Sequence, residues 1–269
     1  MMIGIAGASG LIGYNLYLSL KGKGVETVGS YCSIKKDNLF KFDIIKDKFS
    51  CFDKCTHLVI AAGITNIDDC LRNKDEAYKC NVEKTIELIR YLADKKIEPV
   101  FLSSDQVFDG LKGNYVETDQ PNPPNYYGNF KLQVEEFLKG NLKNYLVLRL
   151  SKTYSRNPAN GGMFAEIFNK LKDKQKVFAA YNQIYNPTEV ELIFGGIYYA
   201  IKSDLTGLYH LADKNIMSRY EFAQSIAKEY NFDQNLIEGI DFNSLSLLEK
   251  RALNSSLNVD KFNKTFAPS

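Results

Sequence analysis

At 269 residues the chain is long enough for one large domain or two small ones, and its 45% apolar and 25% charged residues are ordinary for a globular protein. A formal net charge of +2 provides no basic field of the kind that nucleic acid or an anionic membrane surface attracts. No apolar run nears the ~18 residues of a membrane span, and a start cut by Gly4, Gly7 and Gly10 does not read as a signal peptide.

The first element, Met2-Ile3-Gly4-Ile5-Ala6, is a short apolar run with the look of a buried strand. It leads into Gly7-x-x-Gly10-x-x-Gly13, and Leu11, Ile12, Leu16 and Leu20 then recur at helical spacing. Unpaired N–H groups and the positive end of the dipole make such a helix start a phosphate site. The first glycine gap is one residue longer than in G-x-G-x-x-G. In strand–turn–helix context it predicts a dinucleotide site, the bland alternative being a plain strand–helix turn.

"VETVGSYC" is the second strand, "FKFDI" a short third, and "THLVIAAG", which His57 opens, the fourth. A long helix is predicted near 72–95, a strand at "EPVFLSSD", a helix near 126–139 and a sixth strand at "NYLVLRLS". The rhythm then loosens. "SRNPANGGMF" is a loop before a helix near 162–172, Pro187 stands just before another helix, and "GLYHLAD" is a late strand. From about 213 the chain reads as helical and polar.

Strands alternating with helices predict an α/β fold, a Rossmann-type doubly wound parallel sheet, with a smaller, mainly helical C-terminal lobe. Residues 1–150 and 186–212 are expected to form the dinucleotide-binding domain, and 151–185 and 213–269 the substrate lobe. The ligand crevice is expected at the carboxyl ends of the strands.

An acidic residue after the second strand would hold the ribose of NAD. Here the chain offers Ser30, Tyr31, Lys35 and Lys36 instead, groups that suit a 2′-phosphate. NADPH is therefore the expected cofactor, with NADH the alternative, and Asp43 is placed to meet the adenine. Five Tyr-x-x-x-Lys pairs occur, starting at Tyr17, Tyr31, Tyr91, Tyr127 and Tyr198. Only Tyr127–Lys131 follows a polar strand end, Ser103-Ser104-Asp105, across the bend "PNPPNY". Four residues apart on a helix puts the pair on one face, where an ammonium is expected to lower the phenol pKa and suit it to proton transfer at a carbonyl oxygen. Five cysteines, an odd count with no leader, favour free thiols, and two histidines are too few for a zinc site, so no metal is expected.

These motifs resemble the extended short-chain dehydrogenase/reductases, and within them the dTDP-4-dehydrorhamnose reductase family. "SSDQVFDG", "AAGITNIDDC", "LRLSKTYS", "NQIYNPTEVELI", "GLYHLAD" and "RALNSSLNVDKF" fall in the family's order over nearly the whole chain. The resemblance implies that Tyr127 donates the proton, that Lys131 holds the nicotinamide ribose and tunes Tyr127, and that Ser104 bonds the substrate oxygen. It places cofactor contacts at Gly7, Ser9, Gly10, Leu11, Ile12 and Gly13, at Ser30, Tyr31, Lys35, Asp43 and Ile44, and at Ala61, Ala62, Gly63, Asn81 and Ser103. It places substrate contacts at Thr65, Ser104, Asp105, Lys152, Gln183 and Arg251.

Two departures stand out. Gln106 occupies a position where the family often has tyrosine, and Lys152 one where tryptophan is usual; the chain has no tryptophan. The implied activity is NADPH-dependent reduction of the keto group of a nucleotide-activated 4-keto-6-deoxy sugar, in the cytoplasm, for polysaccharide precursors. The nucleotide sugar is the only partner implied, and a homodimer is left open. The alternatives are a nucleotide-sugar epimerase or dehydratase on the same fold, and a non-catalytic subunit like the regulatory subunit of methionine adenosyltransferase.

Overall fold

The computed structural model describes residues 1–266. The last three residues of the expected substrate lobe, 267–269, lie outside the described residues. In chain order come β1 (Met2–Ala6), α1 (Leu11–Gly22), β2 (Glu26–Tyr31), β3 (Phe40–Lys41), β4 (His57–Ile60), α2 (Ile67–Arg72), α3 (Lys74–Tyr78) and α4 (Thr85–Asp94). Then follow β5 (Glu98–Ser104), α5 (Tyr126–Asn141), β6 (Leu146–Leu150), β7 (Thr153–Tyr154), α6 (Gly162–Lys172), β8 (Val177–Ala180), β9 (Ile184–Tyr185) and β10 (Thr188–Glu189). The last elements are α7 (Val190–Lys202), β11 (Gly207–Leu211), β12 (Met217–Ser218), α8 (Arg219–Glu229), β13 (Ile237–Ile240) and α9 (Asp260–Phe266).

Seven strands form one sheet in the order β11-β6-β5-β4-β1-β2-β3, and every neighbouring pair is parallel. The central strands are apolar on both faces because both are covered by helices. Leu16 and Leu20 of α1, Ile193 and Ile197 of α7 and Phe262 of α9 share one core cluster with the sheet. Leu88 and Leu92 of α4 with Val134 and Leu138 of α5 share the other. The strand order turns back between β1 and β4, which opens a crevice at their carboxyl ends.

A separate cluster joins α6, α8, β8 and β13 through Phe164, Ile167, Phe222, Ile226 and Val177. β9 pairs with β12 and β10 with β7, so short two-strand sheets accompany the helices here. No helix among the described residues is long and apolar enough to cross a membrane.

One local expectation is refined and two are corrected. The long helix near 72–95 is present as α3 and α4 in unbroken helical backbone, with a π-helical turn at Lys79–Lys84 between them and the short α2 ahead of them. Asn73 leaves the helical region at φ −119°, ψ 48°, ending α2 and starting α3. The π turn carries Asn81, whose amide both accepts from Ile64 N–H at 2.8 Å and donates to Ile64 O at 2.8 Å. The third strand shrinks to Phe40–Lys41; the Phe42 N–H still bonds Tyr31 O at 2.8 Å, and the Phe42 and Ile44 side chains pack into the hydrophobic core beyond it. The stretch between β13 and α9 is largely irregular, tied down by side-chain bonds from Asn254, Ser255 and Ser256 rather than by helix.

Candidate active site

At the carboxyl ends of β1, β4, β5 and β6 lies a cleft of about 750 Å³. Its first wall is the glycine turn. Gly7 has φ +86°, and a β-carbon there would lie 2.5 Å from the backbone nitrogen of Ala62. A β-carbon on Gly13 would collide with the carbonyl oxygen of Gly7. These two glycines are therefore demanded by the protein's own packing. Gly10 is different: a β-carbon there meets only Gly7 O, at 3.7 Å. Gly10 caps α1 without any side-chain bond, and Leu11, Ile12 and Gly13 line the cleft, so the first turn of a 12-residue helix presents its N–H groups to it. A pyrophosphate fits this cradle.

The second wall comes from β5 and α5. Asn125 caps α5 by accepting from Gly128 N–H at 2.8 Å, and the helix then carries Tyr127 and Lys131 on one face. Lys131 is buried; its ammonium donates to Leu102 O at 2.8 Å and lies 5.7 Å from the centre of the Tyr127 ring. Burial lowers its pKa to about 8. The Tyr127 phenol lies near Ser104, at the end of β5. Its pKa is raised, by burial first and by the Asp105 carboxylate next. The expected lowering by Lys131 is thus not what this geometry gives, because burial and the Asp105 carboxylate both disfavour the phenolate.

Asp105 also differs from expectation. Its carboxylate accepts from Ser104 at 3.1 Å, Gln106 at 3.1 Å, Ser151 at 3.3 Å and Ser255 at 2.7 Å. A carboxylate has about four lone-pair sites, so none is left for a substrate hydroxyl. Burial raises its pKa in spite of these donors. Asp105 lines the cleft but works as a knot joining β5, the end of β6 and the C-terminal segment.

The remaining expected residues divide. Ala61, Gly63, Thr65, Ser103, Ser104, Lys152, Gln183 and Arg251 all line the same cleft as Gly7, Gly10, Leu11, Ile12, Gly13, Tyr127 and Lys131. Ser9, Ser30, Tyr31, Lys35, Asp43, Ile44, Ala62 and Asn81 do not. Ser30 is buried behind the turn, accepting from Gly7 N–H at 3.3 Å and donating to Ile5 O at 3.5 Å. Ile44 packs in the core, and Asp43 accepts from Ile45 N–H at 2.9 Å. Lys36 leans over the Tyr14 ring at 4.9 Å, and Lys35 is exposed. The Ser103 hydroxyl is taken by Glu135. Asn81 braces the loop after β4 from behind Gly63.

At the end away from the glycine turn the cleft also holds Tyr185, from the stretch "NQIYNPTEVELI", and groups with no local motif: Arg219, Phe178, Phe242, Leu245 and Leu247. Arg219 starts α8 directly after the capping box of Ser218 and Glu221, the one local signal that marked this position. Arg219 is paired with Glu166 at 2.9 Å and Arg251 with Asp68 at 3.0 Å. Lys152 lines the same end with its pKa lowered by burial. No group of three or more metal-ligating side chains occurs among the described residues.

Comparison with known proteins agrees with this arrangement. The RmlD substrate binding domain family matches residues 1–269. A crystal structure of a hypothetical dTDP-4-dehydrorhamnose reductase from Sulfolobus tokodaii superposes with a TM-score of 0.89 at 30% identity, covering 98% of this chain and 94% of that one. The spore coat polysaccharide biosynthesis protein SpsK of Bacillus subtilis is 28% identical over 240 residues, 87% of this chain and 81% of that protein. The dTDP-4-dehydrorhamnose reductase of Escherichia coli is 27% identical over 223 residues, 78% of this chain and 73% of that one. With a parallel seven-stranded sheet, a glycine turn and a Tyr–Lys helix meeting at one cleft, the chain belongs to the RmlD family of extended short-chain dehydrogenase/reductases.

Proposed function

We propose that this protein is an NADPH-dependent sugar-nucleotide reductase that reduces the keto group of a nucleotide-activated 4-keto-6-deoxy sugar, as a step toward polysaccharide precursors. The observation that carries the reading is the meeting of Ser104, Tyr127 and Lys131 with the Gly7–Gly13 turn in one cleft. The RmlD family match over the whole chain supports it.

The dinucleotide, when bound, supplies the hydride. Gly10 and the first turn of α1 hold its pyrophosphate, and Lys131 the ribose next to the nicotinamide. Tyr127 gives its phenolic proton to the carbonyl oxygen, and the Ser104 hydroxyl turns from Asp105 to donate a hydrogen bond to that oxygen. A phenol whose pKa is raised is protonated throughout the neutral range, the state an acid needs. Phe178, Leu245 and Leu247 line the apolar end of the cleft, with Thr65, Gln183, Lys152 and Arg251 as polar contacts for the sugar nucleotide. Residues 1–150 and 186–212 are the dinucleotide half of the molecule in this reading, and 151–185 and 213–269 the substrate half. The five free thiols fit the reducing conditions of the cytoplasm.

The test is a panel of nucleotide 4-keto-6-deoxy sugars, following loss of NADPH absorbance. Turnover with at least one, with NADPH preferred over NADH, supports the reading. Tightly held cofactor that cycles without net consumption points to an epimerase or dehydratase. Recovery of a stoichiometric enzyme partner with no turnover on any sugar points to a regulatory subunit.

A further inference from the structure

We infer that Glu135 is a positioning residue for the Tyr127–Lys131 pair: bonded to Ser103 and forked by Arg149, it locks the end of β5 against α5 and supplies the negative charge beneath Lys131. The inference rests on the catalytic reading above and extends it one helical turn further from the cleft.

Tyr127, Lys131 and Glu135 are spaced four and four on α5, so they lie along one face of the helix. Two successive residues at the end of β5 are tied to that face. Leu102 O accepts from the Lys131 ammonium at 2.8 Å, and the Ser103 hydroxyl donates to Glu135 Oε1. The next residue, Ser104, lies near the Tyr127 phenol. Three consecutive strand residues thus meet three residues of one helix face, and Glu135 is the innermost contact.

Glu135 is itself fixed. Arg149 of β6 reaches it through Nε at 3.0 and 3.1 Å and through Nη2 at 2.6 Å. Both side chains are almost completely buried. Arg149 in turn lies 4.9 Å from the Phe108 ring, and its Nη1 is 3.5 Å from His210 Nε2. A buried pair of this kind is weak evidence for stability, since desolvation offsets most of the attraction. It does fix geometry, and here it lies directly below the reacting groups.

The charges facing Lys131 come from several elements. Cys70 of α2 and Cys80 of the π turn are thiols raised to about 11 by burial, hence neutral near pH 7. Tyr127 is protonated there as well. Glu135 is therefore the group that opposes the desolvation of the Lys131 ammonium at neutral pH. Removing its charge lowers the Lys131 pKa further, so a function that needs the ammonium is lost at a lower pH.

The experiment measures NADPH affinity by calorimetry, and turnover, against pH for Glu135→Gln, Glu135→Asp and Ser103→Ala, with Tyr127→Phe as reference. Glu135→Gln is expected to move the alkaline limb of both profiles down by about one pH unit or more. Glu135→Asp, which keeps the charge, is expected to restore the parent limb. Ser103→Ala is expected to lower kcat by roughly threefold or more through misalignment, without moving the limb. A folded Glu135→Gln protein whose limbs superimpose on the parent's overturns the inference. Should that variant not fold, Ser103→Ala with the parent's kcat overturns it. If Tyr127→Phe keeps full turnover, the catalytic reading itself falls; if it loses turnover while the Glu135→Gln limbs stay put, only the inference falls.

Discussion

The two ends of the cleft are built by different means. At the cofactor end the shape is made by backbone: Gly7, Gly10 and Gly13 lie within seven residues, and the helix start follows at once. At the substrate end it is made by side chains from distant parts of the chain. Lys152 follows β6, Gln183 precedes β9, Arg219 begins α8, and Arg251 and Ser255 come from the irregular stretch before α9. A backbone site tolerates change in its surroundings but not in its glycines. A site assembled from side chains depends on the knots that hold its segments together, and Asp105 is the central one.

Tyr127→Phe is the strongest test of where the two ends meet. It keeps the ring and removes the proton, so turnover is expected to fall ~10²–10⁴-fold, roughly 3–5 kcal/mol of barrier, while NADPH affinity changes little. Tyr91→Phe is the control. That tyrosine bonds Asp53 on the surface side of α4, and its replacement should leave turnover within a few-fold of the parent.

Asp105→Ala separates a knot from a substrate contact. It leaves four donors without their acceptor, so thermal or denaturant unfolding should show a loss of about 1–3 kcal/mol or more, together with lower activity. A variant with unchanged stability and only a raised KM would make Asp105 a ligand contact after all.

The glycines test the cofactor end. Gly13→Ala should unfold at lower temperature than the parent, because its β-carbon collides with Gly7 O. Gly10→Ala has room in the protein and should keep the parent's melting temperature, yet lose NADPH affinity because the pyrophosphate approaches there. Equal behaviour of the two would remove the distinction between packing glycine and ligand glycine.

A smaller, pH-dependent effect belongs to His210, whose Nδ1 donates to Asn258 O at 3.1 Å. Burial, then the Arg149 charge, lower its pKa to about 3. The folded state therefore binds fewer protons than the unfolded chain between that value and the ordinary ~6.5, and stability falls as pH drops through this window. The slope is at most about 1.4 kcal/mol per pH unit. His210→Gln, followed by denaturant unfolding across that range, should flatten it.

The parallel sheet, the glycine turn and the Tyr–Lys pair could be read from sequence because each is written in neighbouring residues or in a helical period. That Ser104 and Tyr127 would line one cleft was also accessible, since the strand end and the helix are separated only by a bend. What escaped was set by long-range contacts. Nothing near Asp105 announces that Ser255 will occupy its carboxylate, and nothing near Ser103 announces Glu135. Ser30 and Asn81 have polar side chains that suit a ligand equally well, and only the folded chain shows them bonded to Gly7 and Ile64. The phenol pKa went the other way because burial depth is not a property of spacing.

The bond between Asp105 and Ser255 spans 150 residues of chain. Synthesis at ~5–20 residues per second puts roughly 8–30 s between the emergence of the two partners. During that interval β5 and α5 exist, and so do Tyr127 and Lys131, but the carboxylate beside them lacks its closest donor. Asn125 waits as well, because its amide donates to Lys250 O at 3.1 Å. A ribosome-bound chain stalled before residue 249 would therefore hold Ser104, Tyr127 and Lys131 and still lack the contacts from the later segment that brace their surroundings. The cleft takes its final shape only after the segment around residues 250–255 has been made and has folded back onto β5 and α5.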